Sequence, residues 1–521
     1  MKERQLDVLF VNASSAAAAY QALASVYAAI EPPTWALLLA QACRSKGFGV
    51  GILDCDAERL ALKDTLTRIR DANPRLVCFV VYGQNPNSGT TNMIGATEAA
   101  AALKEAYPEY PVCFVGSHTS ALPKEVLRHT FVDFALLNEG VYALQNLLRS
   151  DLRTSLHKVR GVGWKRDGVV LLNAPEPPVP HERMDQDLPG YAWDLLPKKS
   201  RPLDLYRSHF WHAEFNHDLR TPFAAVYTSL GCRFKCDFCM INIVNRTDNA
   251  DGVDASHSPL MRFWSAEFMA DEFERLARMG VETVRISDEM FFLDKRYFEP
   301  LLGKLVERGL DLRMWAYARV DTVRERYLEL FRKAGIGWLC LGIEAARQSV
   351  RKEISKGTFA EVDIRDVVRD VQSAGISVLG NYIFGFPDDT PESMQETLDL
   401  AMELNTEHAN FYPCMALPGS HLYHYAREQG WALPDSYAGY AFLSYECQPL
   451  PTKHASARDV LRFRDEAWHR YFANPAYLAL VEGKFGIDQR RNVEEMARIR
   501  LRRRLLEDSD TVGATVDKVT P

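Results

Sequence analysis

The chain has 521 residues, of which 47% are hydrophobic and 25% are charged, proportions typical of a soluble globular protein with about two to four domains. The net charge of -7 does not favour a nucleic-acid partner, and no apolar run reaches the roughly 18 residues of a transmembrane helix. The short apolar run near the N-terminus favours a first β-strand over a signal peptide. We therefore expect a cytoplasmic protein with neither a nucleic-acid nor a membrane partner.

Residues 1–150 alternate short apolar runs with helical patterns. This alternation predicts an α/β fold with a doubly wound, Rossmann-like parallel sheet, in which ligands bind beyond the carboxyl ends of the strands. Polar and glycine-rich segments fall at that edge. The predicted strands are residues 8–11, 49–53, 76–81, 112–115 and 134–137, and the polar segments are residues 83–92, 116–120 and 138–140.

A second strand–helix series follows a linker, residues 151–221, which contains a predicted hairpin around Gly168. The second series, residues 222–430, has predicted strands at 224–229, 283–287, 313–317, 338–343, 378–384 and 409–412. These units are too few for an eight-stranded barrel, so we predict a partial (βα)6 barrel. Residues 431–508 are expected to form a helical C-terminal domain, and residues 509–521 a disordered tail.

Three of the ten cysteines, Cys232, Cys236 and Cys239, lie within eight residues of one another. Their thiolates can bind three irons of a [4Fe-4S] cubane and leave the fourth iron open to a substrate molecule. The alternative is a structural zinc site, which needs four ligands and usually a second CxxC pair, and no second pair follows here. The histidines nearest to the cysteines, none with the spacing of a zinc knuckle, are His209, His212 and His257.

The CxxxCxxC spacing, placed just after a strand that opens a strand–helix series, resembles the radical S-adenosylmethionine (SAM) superfamily over residues 221–430. The resemblance implies that the open iron binds SAM and that the reduced cluster cleaves SAM to methionine and a 5′-deoxyadenosyl radical. It also implies an external reductant such as flavodoxin or ferredoxin. The radical would abstract a hydrogen atom from a small-molecule substrate.

Later positions at strand ends match the motifs that hold SAM in this superfamily. The residues concerned are Asp288 and Glu289 for the amino group, Arg319 for the carboxylate, Glu344 for the ribose, and Phe238, Asn381 and Gly385 for the adenine. The usual Gly-Gly-Glu is absent, so the choice between Asp288 and Glu289 stays open. Each position also has a structural alternative, namely a turn cap, an ion pair or a plain turn.

A doubly wound domain ahead of such a barrel resembles the cobalamin-dependent, class B radical SAM enzymes over nearly the whole chain. The first domain lacks Asp-x-His-x-x-Gly, so the resemblance implies cobalamin without a histidine on cobalt, and His118 is left unassigned. The alternative is a domain that binds nothing and has ordinary polar turns. Candidates near the lower face of cobalt are Gln84 and Asn85, and candidates for tail and corrin contacts are Ser88, Gly89, Thr90, Ser117, Thr119, Glu139 and Gly140.

The two resemblances together predict a methyltransferase that moves a methyl group from SAM via methylcobalamin to an unactivated carbon, or to a phosphinate phosphorus, of a small biosynthetic intermediate. One alternative is a radical enzyme that transfers no methyl group, such as the anaerobic oxidative cyclase of chlorophyll biosynthesis. The other is a non-enzymatic protein with a structural zinc site. The sequence leaves the substrate, the oligomeric state, the physiological electron donor and any catalytic residue open.

Overall fold

The computed structural model describes residues 6–83, 86–246, 254–356, 359 and 362–507. Within them, the strands are β1 (Val8–Asn12), β2 (Val50–Asp54), β3 (Val77–Val80), β4 (Val112–Val115), β5 (Phe134–Leu136), β6 (Val162–Arg166), β7 (Val169–Leu172), β8 (Phe223–Val226), β9 (Ser229–Cys232), β10 (Leu260–Phe263), β11 (Thr283–Ile286), β12 (Arg313–Arg319), β13 (Ile336–Glu344), β14 (Ser377–Phe384) and β15 (His408–Pro413).

The α-helices in the same residues are α1 (Ala16–Tyr20), α2 (Leu23–Val26), α3 (Thr34–Arg44), α4 (Leu62–Ala72), α5 (Gly89–Ala106), α6 (Ser117–Ala121), α7 (Pro123–Arg128), α8 (Val141–Arg149), α9 (Met184–Asp187), α10 (Ala266–Arg278), α11 (Lys295–Glu307), α12 (Leu328–Lys333), α13 (Gln348–Glu353), α14 (Ile364–Ser373), α15 (Pro391–Leu404), α16 (His421–Glu428), α17 (Ala457–Phe472), α18 (Pro475–Phe485), α19 (Ile487–Ala497) and α20 (Arg504–Glu507). Among the described residues, no helix is both long enough and apolar enough to cross a membrane.

The first sheet has the strand order β2-β1-β3-β4-β5-β6-β7, in which β1 to β5 are parallel. Both faces are covered: Val8 and Phe10 belong to one apolar core, and Leu9 and Val11 belong to another on the opposite face. This two-sided burial is why the strands have continuous apolar runs instead of an alternating pattern. The predicted doubly wound sheet is confirmed.

The hairpin predicted around Gly168 is formed by β6 and β7, and its β6 strand pairs antiparallel with β5. The first sheet therefore extends into residues that the sequence assigns to the linker. The linker pattern did not show this, because pairing with β5 depends on the edge that the finished sheet offers.

The second sheet has the order β15-β14-β13-β12-β11-β8, with every neighbouring pair parallel. Consecutive parallel strands with helical crossovers give the predicted partial barrel. The strand predicted at 224–229 ends earlier, at Val226, and β9 instead pairs antiparallel with β10.

A single apolar core joins one face of the first sheet, the segment before β8, the barrel and the C-terminal helices. The guanidinium of Arg464 on α17 donates to the carbonyl of Phe411 on β15 (2.7 Å), which ties the C-terminal helices to the last barrel strand. The helical character predicted for residues 431–508 is present in α17 to α20. The tail predicted at 509–521 lies outside the described residues.

Candidate active site

One cavity of about 800 Å³ lies where the carboxyl ends of the first sheet face the barrel. Loops after β1, β2 and β3 line one side, the barrel strands line another, and α17 and α19 complete the wall. Representative lining residues are Asn12, Asp56 and Gly83 from the first sheet, Glu289, Arg319 and Tyr412 from the barrel, and Trp468 and Met496 from the C-terminal helices. The ligand-binding edges of both strand–helix series therefore open into the same space.

The cluster loop, residues 232–240, begins at the end of β9 and brings the three neighbouring cysteines to this cavity. Gly231 just before it has φ 86°, and a Cβ there would lie 2.0 Å from the carbonyl oxygen of Leu260, so this position requires glycine. The side-chain oxygen of Asn242 accepts from the amide of Cys232 (3.1 Å) and braces the start of the loop. Cys232, Cys236 and Cys239 are partly exposed, whereas the other seven cysteines are buried.

The three thiols lie in a setting that disfavours their free thiolates. Burial raises the pKa of Cys232 to about 11 and also raises the pKa values of Cys236 and Cys239, and neighbouring negative charges add to the effect. A positively charged iron cluster would offset both burial and repulsion, because metal binding deprotonates a thiol. The donor set therefore fits an iron–sulfur cluster.

Within the described residues, no group of three Cys, His, Asp or Glu side chains surrounds a position for a single metal ion. This finding argues against a structural zinc site, in which all ligands converge on one ion. It is compatible with a cubane, because each cysteine of a cubane binds a different iron.

Asp288 and Glu289, which the sequence left as alternatives, have different surroundings. The Asp288 carboxylate accepts hydrogen bonds from the amide and hydroxyl of Thr228 (2.6 and 2.7 Å) and from the Ser229 hydroxyl, and it does not line the cavity. Glu289 does line the cavity, and its Oε2 is buried without a hydrogen-bond partner among the described atoms. Burial raises the pKa of Glu289 to about 8. The Asp288 carboxylate is thus occupied by partners within the protein, whereas the Glu289 carboxylate can receive a cationic ligand group.

Arg319 at the end of β12 lines the cavity with one guanidinium nitrogen still available. Its other nitrogens donate to Asp321 (2.9 Å each) and to the carbonyl oxygen of Lys356 (2.7 Å), and its plane lies over the Phe234 ring, 4.0 Å from the centroid. Nη1 is buried and has no partner among the described atoms. A guanidinium held in this way can receive a ligand carboxylate.

Glu344 at the end of β13 also lines the cavity, but its carboxylate is paired with Lys356 (2.7 Å). Glu344 has φ 67°, a conformation that is uncommon outside glycine and that often marks a functional site. The sequence analysis missed Lys356, because nothing in the spacing of residues 344 and 356 shows that the two side chains meet. Lys356 lines the cavity as well and adds a cation close to the cysteines.

The three residues predicted to contact adenine are only partly brought together. Phe238 lines the cavity and packs against Phe386, with ring centroids 5.6 Å apart. Asn381 lines it too and accepts from the Asn410 amide (3.1 Å). Gly385 does not line the cavity: its φ is 91°, and a Cβ there would lie 2.5 Å from the Val460 side chain. Its role in this structure is a close turn against α17.

The residues predicted to bind cobalamin divide into three groups. Ser88 lines the cavity, and Gln84 and Asn85 lie outside the described residues. The remaining six do not line the cavity: Gly89, Thr90, Ser117, Thr119, Glu139 and Gly140. The first turns of α5 and α6 pack directly together: a Cβ on Gly89 would lie 2.0 Å from the Ser117 hydroxyl, so only glycine fits there. The Thr119 hydroxyl is buried without a partner among the described atoms, so a polar ligand group could use it.

Glu139 and Gly140 have partners or positions within the protein itself, and their contacts with cobalamin stay a prediction. The Glu139 carboxylate pairs with Arg262 on β10 (2.8 Å), and both side chains are only 2% exposed. This pair links the first sheet to the cluster region, so the Glu139 charge is already compensated. Gly140 has φ 80° and caps the N-terminus of α8.

A buried polar group that the sequence analysis missed lies in the same cavity wall. Glu31, which precedes α3, forms an ion pair with Arg285 of β11 (2.6 Å). Its other carboxylate oxygen lies 2.8 Å from Nε2 of His209. The Arg285 guanidinium lies over the Trp315 ring, 4.8 Å from its centroid. Glu31 and Arg285 are 254 positions apart, so no local pattern could have paired them.

The fold and the site together define an iron–sulfur enzyme with a second cofactor domain, and comparison with known proteins agrees. Residues 20–148 match the B12 binding domain, and residues 226–401 match the Radical SAM superfamily. An uncharacterized methyltransferase of Pyrococcus horikoshii is 25% identical over 450 residues, which are 86% of this chain and 89% of that protein. An anaerobic magnesium-protoporphyrin IX monomethyl ester cyclase of Rubrivivax gelatinosus is 24% identical over 86% of this chain and 75% of that protein.

The fold also matches a solved structure, that of the radical SAM methyltransferase TsrM from Kitasatospora setae with cobalamin and a [4Fe-4S] cluster bound. The TM-score is 0.63 at 18% identity, over 90% of this chain and 89% of that one. The chain therefore has a B12 binding domain followed by a Radical SAM domain, the order expected for cobalamin-dependent radical SAM enzymes. The predicted enzyme class and its cofactors, namely SAM, a [4Fe-4S] cluster and cobalamin, are confirmed at this level.

Proposed function

We propose that the protein is a methyltransferase that transfers a methyl group from SAM, by way of cobalamin, to an unactivated carbon or a phosphinate phosphorus of a small molecule. The observation that carries the proposal is the shared cavity, which is lined both by the cluster loop and by the carboxyl edge of the B12-binding sheet. One relative is named as a methyltransferase, which supports methyl transfer as the reaction.

In this proposal, Cys232, Cys236 and Cys239 hold the cluster and leave one iron for SAM. Glu289 receives the SAM ammonium group, and Arg319 receives the SAM carboxylate through its unpartnered nitrogen. Because Glu289 is buried, pairing with the ammonium group would also compensate its charge. When the cofactors are bound, the cluster and SAM supply a 5′-deoxyadenosyl radical, and cobalamin carries the methyl group.

The Glu344–Lys356 pair lies in the same wall as the cysteines and would contact the SAM ribose through the free carboxylate oxygen. Ser88 and its neighbours in the loop after β3 would lie against the corrin. Arg319 and Glu344 are the last residues of β12 and β13, and this position favours a fixed separation between the reacting partners.

In this proposal, the rest of the cavity wall would exclude water from the reactants. Its large side chains are mostly aromatic, and they include Trp35, Phe210, Trp211, Trp315, Tyr317, Phe442 and Trp468. An apolar lining protects a reactive intermediate from solvent, and the Glu31–Arg285 pair supplies a polar contact within it. These residues would hold a small molecule between the two cofactor sites.

The proposal has a direct test in the nucleoside products. Full-length protein, reconstituted with cluster and cobalamin under strict anaerobiosis, is assayed with candidate substrates and a chemical reductant. Methyl transfer through cobalt to a substrate radical consumes two SAM molecules. One is converted to S-adenosylhomocysteine, and the other is cleaved to 5′-deoxyadenosine and methionine. We expect the substrate-dependent increments of both nucleosides to be near equal and to track the methylated product.

Other outcomes identify the alternatives. A substrate-dependent rise in 5′-deoxyadenosine without S-adenosylhomocysteine would favour a cyclase-type reaction, which the cyclase among the relatives keeps as the second candidate. A rise in S-adenosylhomocysteine alone would indicate polar methylation without a substrate radical. Cys236→Ala provides the control for cluster-dependent cleavage.

The proposal extends to the electron donor and the compartment. The cluster needs a one-electron reductant, for which flavodoxin or ferredoxin is the proposed class. The seven buried cysteines are free thiols in the structure, and free thiols persist in a reducing compartment such as the cytoplasm. The proposed donor class is tested by adding either purified donor to the oxidised protein and measuring the decrease in the visible absorbance of the cluster.

A further inference from the structure

A side chain of the first domain reaches the cluster loop. Asn87 belongs to the short 3-10 turn Pro86–Ser88 between β3 and α5, and it lies 153 positions before Met240. Its Oδ1 accepts from the Met240 amide (3.0 Å), and its Nδ2 donates to the Cys239 sulfur at 3.8 Å. One side chain of the first domain thus makes two contacts with the cysteine motif.

The three cysteine sulfurs differ in what stabilises their negative charge. The positive charges of Lys356 and Arg319 act on Cys236, and the charge of Lys356 also acts on Cys232. The Cys232 sulfur further accepts from the amide of Phe234 (3.5 Å).

At Cys239, neutral N–H groups stabilise the negative charge of the sulfur. These donors include the backbone of Ile241 and the side chain of Asn87. Of these, Asn87 is the only one from the first domain.

We infer that Asn87 completes the cluster site from the first domain, and that its amide donates to the Cys239 sulfur and raises the reduction potential of the cluster. This inference rests on the proposed function, in which Cys239 is a cluster ligand. Reduction adds negative charge to the cluster and its sulfurs, so an N–H donor stabilises the reduced form more than the oxidised form. Asn87 is a positioning residue, because it acts through the cysteine and does not touch the substrate.

The same contacts would also arise if Asn87 only fastened the loop through Met240. A fastening role would change how much cluster the protein holds, but it would leave the potential of an assembled cluster unchanged. A donor role changes the potential itself. The two roles are therefore separated by measuring the potential per assembled cluster.

The experiment compares Asn87→Leu with Asn92→Leu in the full chain, reconstituted with cluster and cobalamin. Asn92 lies in the first turn of α5 and lines the same cavity, and its side chain makes no hydrogen bond to the cluster loop among the described residues. Iron and sulfide are quantified first. The reduced cluster is then followed by electron paramagnetic resonance during a redox titration.

We expect the ratio of reduced to oxidised cluster at a fixed potential to fall about fivefold in Asn87→Leu, which corresponds to about 40 mV at 59 mV per tenfold change. Asn92→Leu should match the unmodified protein. An unchanged midpoint in Asn87→Leu, with cluster content intact, would overturn the inference. Absence of any cluster in the unmodified protein would instead overturn the proposed function.

A second measurement covers the case in which Asn87→Leu holds too little cluster to titrate. Protein labelled with ¹⁵N-asparagine is reduced and examined by pulsed electron paramagnetic resonance. We expect a weakly coupled ¹⁵N signal that persists in Asn92→Leu and is absent from a residual cluster of Asn87→Leu. If the unmodified protein shows no ¹⁵N coupling, the Asn87 donor is refuted without reliance on the variant's stability.

Discussion

At the scale of single residues, exposure separates the cysteines of the cluster loop from the others. Cys236 lines the cavity, whereas Cys447 is fully buried in the C-terminal core. Cys236→Ala removes the only protein ligand of one iron, so we expect loss of the cluster and of SAM cleavage to below about 1% of the original rate. Cys447→Ala should keep full iron and sulfide content. Cleavage and metal content are measured together, and retained cleavage in Cys236→Ala would refute the cluster assignment.

Asp54 at the end of β2 leads to a prediction of how the free energy of unfolding depends on pH. Its carboxylate is fully buried and accepts from the Asn12 amide and the Tyr206 hydroxyl (2.8 Å each), and burial, aided by the Asp56 charge, raises its pKa to about 7. Because the folded state holds this proton up to a higher pH than the unfolded state, the contribution of Asp54 to stability falls as pH rises from about 4 to 7.

The test is denaturant unfolding at pH 5 and pH 8. From pH 5 to 8, the free energy of unfolding should fall by about 2 kcal/mol more in the unmodified protein than in Asp54→Asn. Asp151→Asn is a suitable control, because the Asp151 side chain is exposed and its hydrogen bonds go to residues 153 and 154, not to Asp54. An equal pH dependence in Asp54→Asn and the unmodified protein would contradict the prediction.

At the scale of elements, the Glu139–Arg262 pair joins the loop between β5 and α8 to β10. Arg262 also donates to the carbonyl of Val179 (2.7 Å), so one side chain fastens three segments. Arg262→Ala leaves the Glu139 charge buried and unpaired, and we expect the free energy of unfolding to fall by about 3–5 kcal/mol. Unfolding by urea measures the loss.

A double variant separates the charge from the packing. Glu139→Leu combined with Arg262→Met removes both charges and keeps apolar volume, so most of the stability should return. If the double variant is as unstable as Arg262→Ala, the hydrogen bond to Val179, not the ion pair, holds these elements together.

At the scale of the whole molecule, the first domain brings no histidine to the cavity. His118 contacts Thr90 (3.0 Å) and Glu125 (3.3 Å), and neither it nor His129 lines the cavity. We therefore predict that reconstituted protein binds about one cobalamin without an imidazole on cobalt. Electron paramagnetic resonance of the Co(II) form reports the lower ligand directly. Nitrogen hyperfine splitting from imidazole would contradict the prediction, and a His118→Ala variant should give an unchanged spectrum.

The amino-acid pattern was enough to predict the two strand–helix series, the doubly wound sheet and the partial barrel. These features follow from local periodicity, and the strand at residues 112–115 has the predicted bounds. The cysteine motif is equally local, because its spacing fits within one loop. It therefore identified the cluster chemistry before any tertiary contact was known.

How individual polar side chains are used depends on contacts that form only in the folded chain. Asp288 and Glu289 are adjacent in sequence, yet one faces Thr228 and Ser229 and the other faces the cavity. Contacts such as Glu139–Arg262 and Asn87–Cys239 join residues 123 and 152 positions apart. Whether a polar group binds a ligand or supports the fold depends on which partners the completed fold places beside it, because a buried polar group is costly unless the protein or a ligand supplies a hydrogen-bond partner.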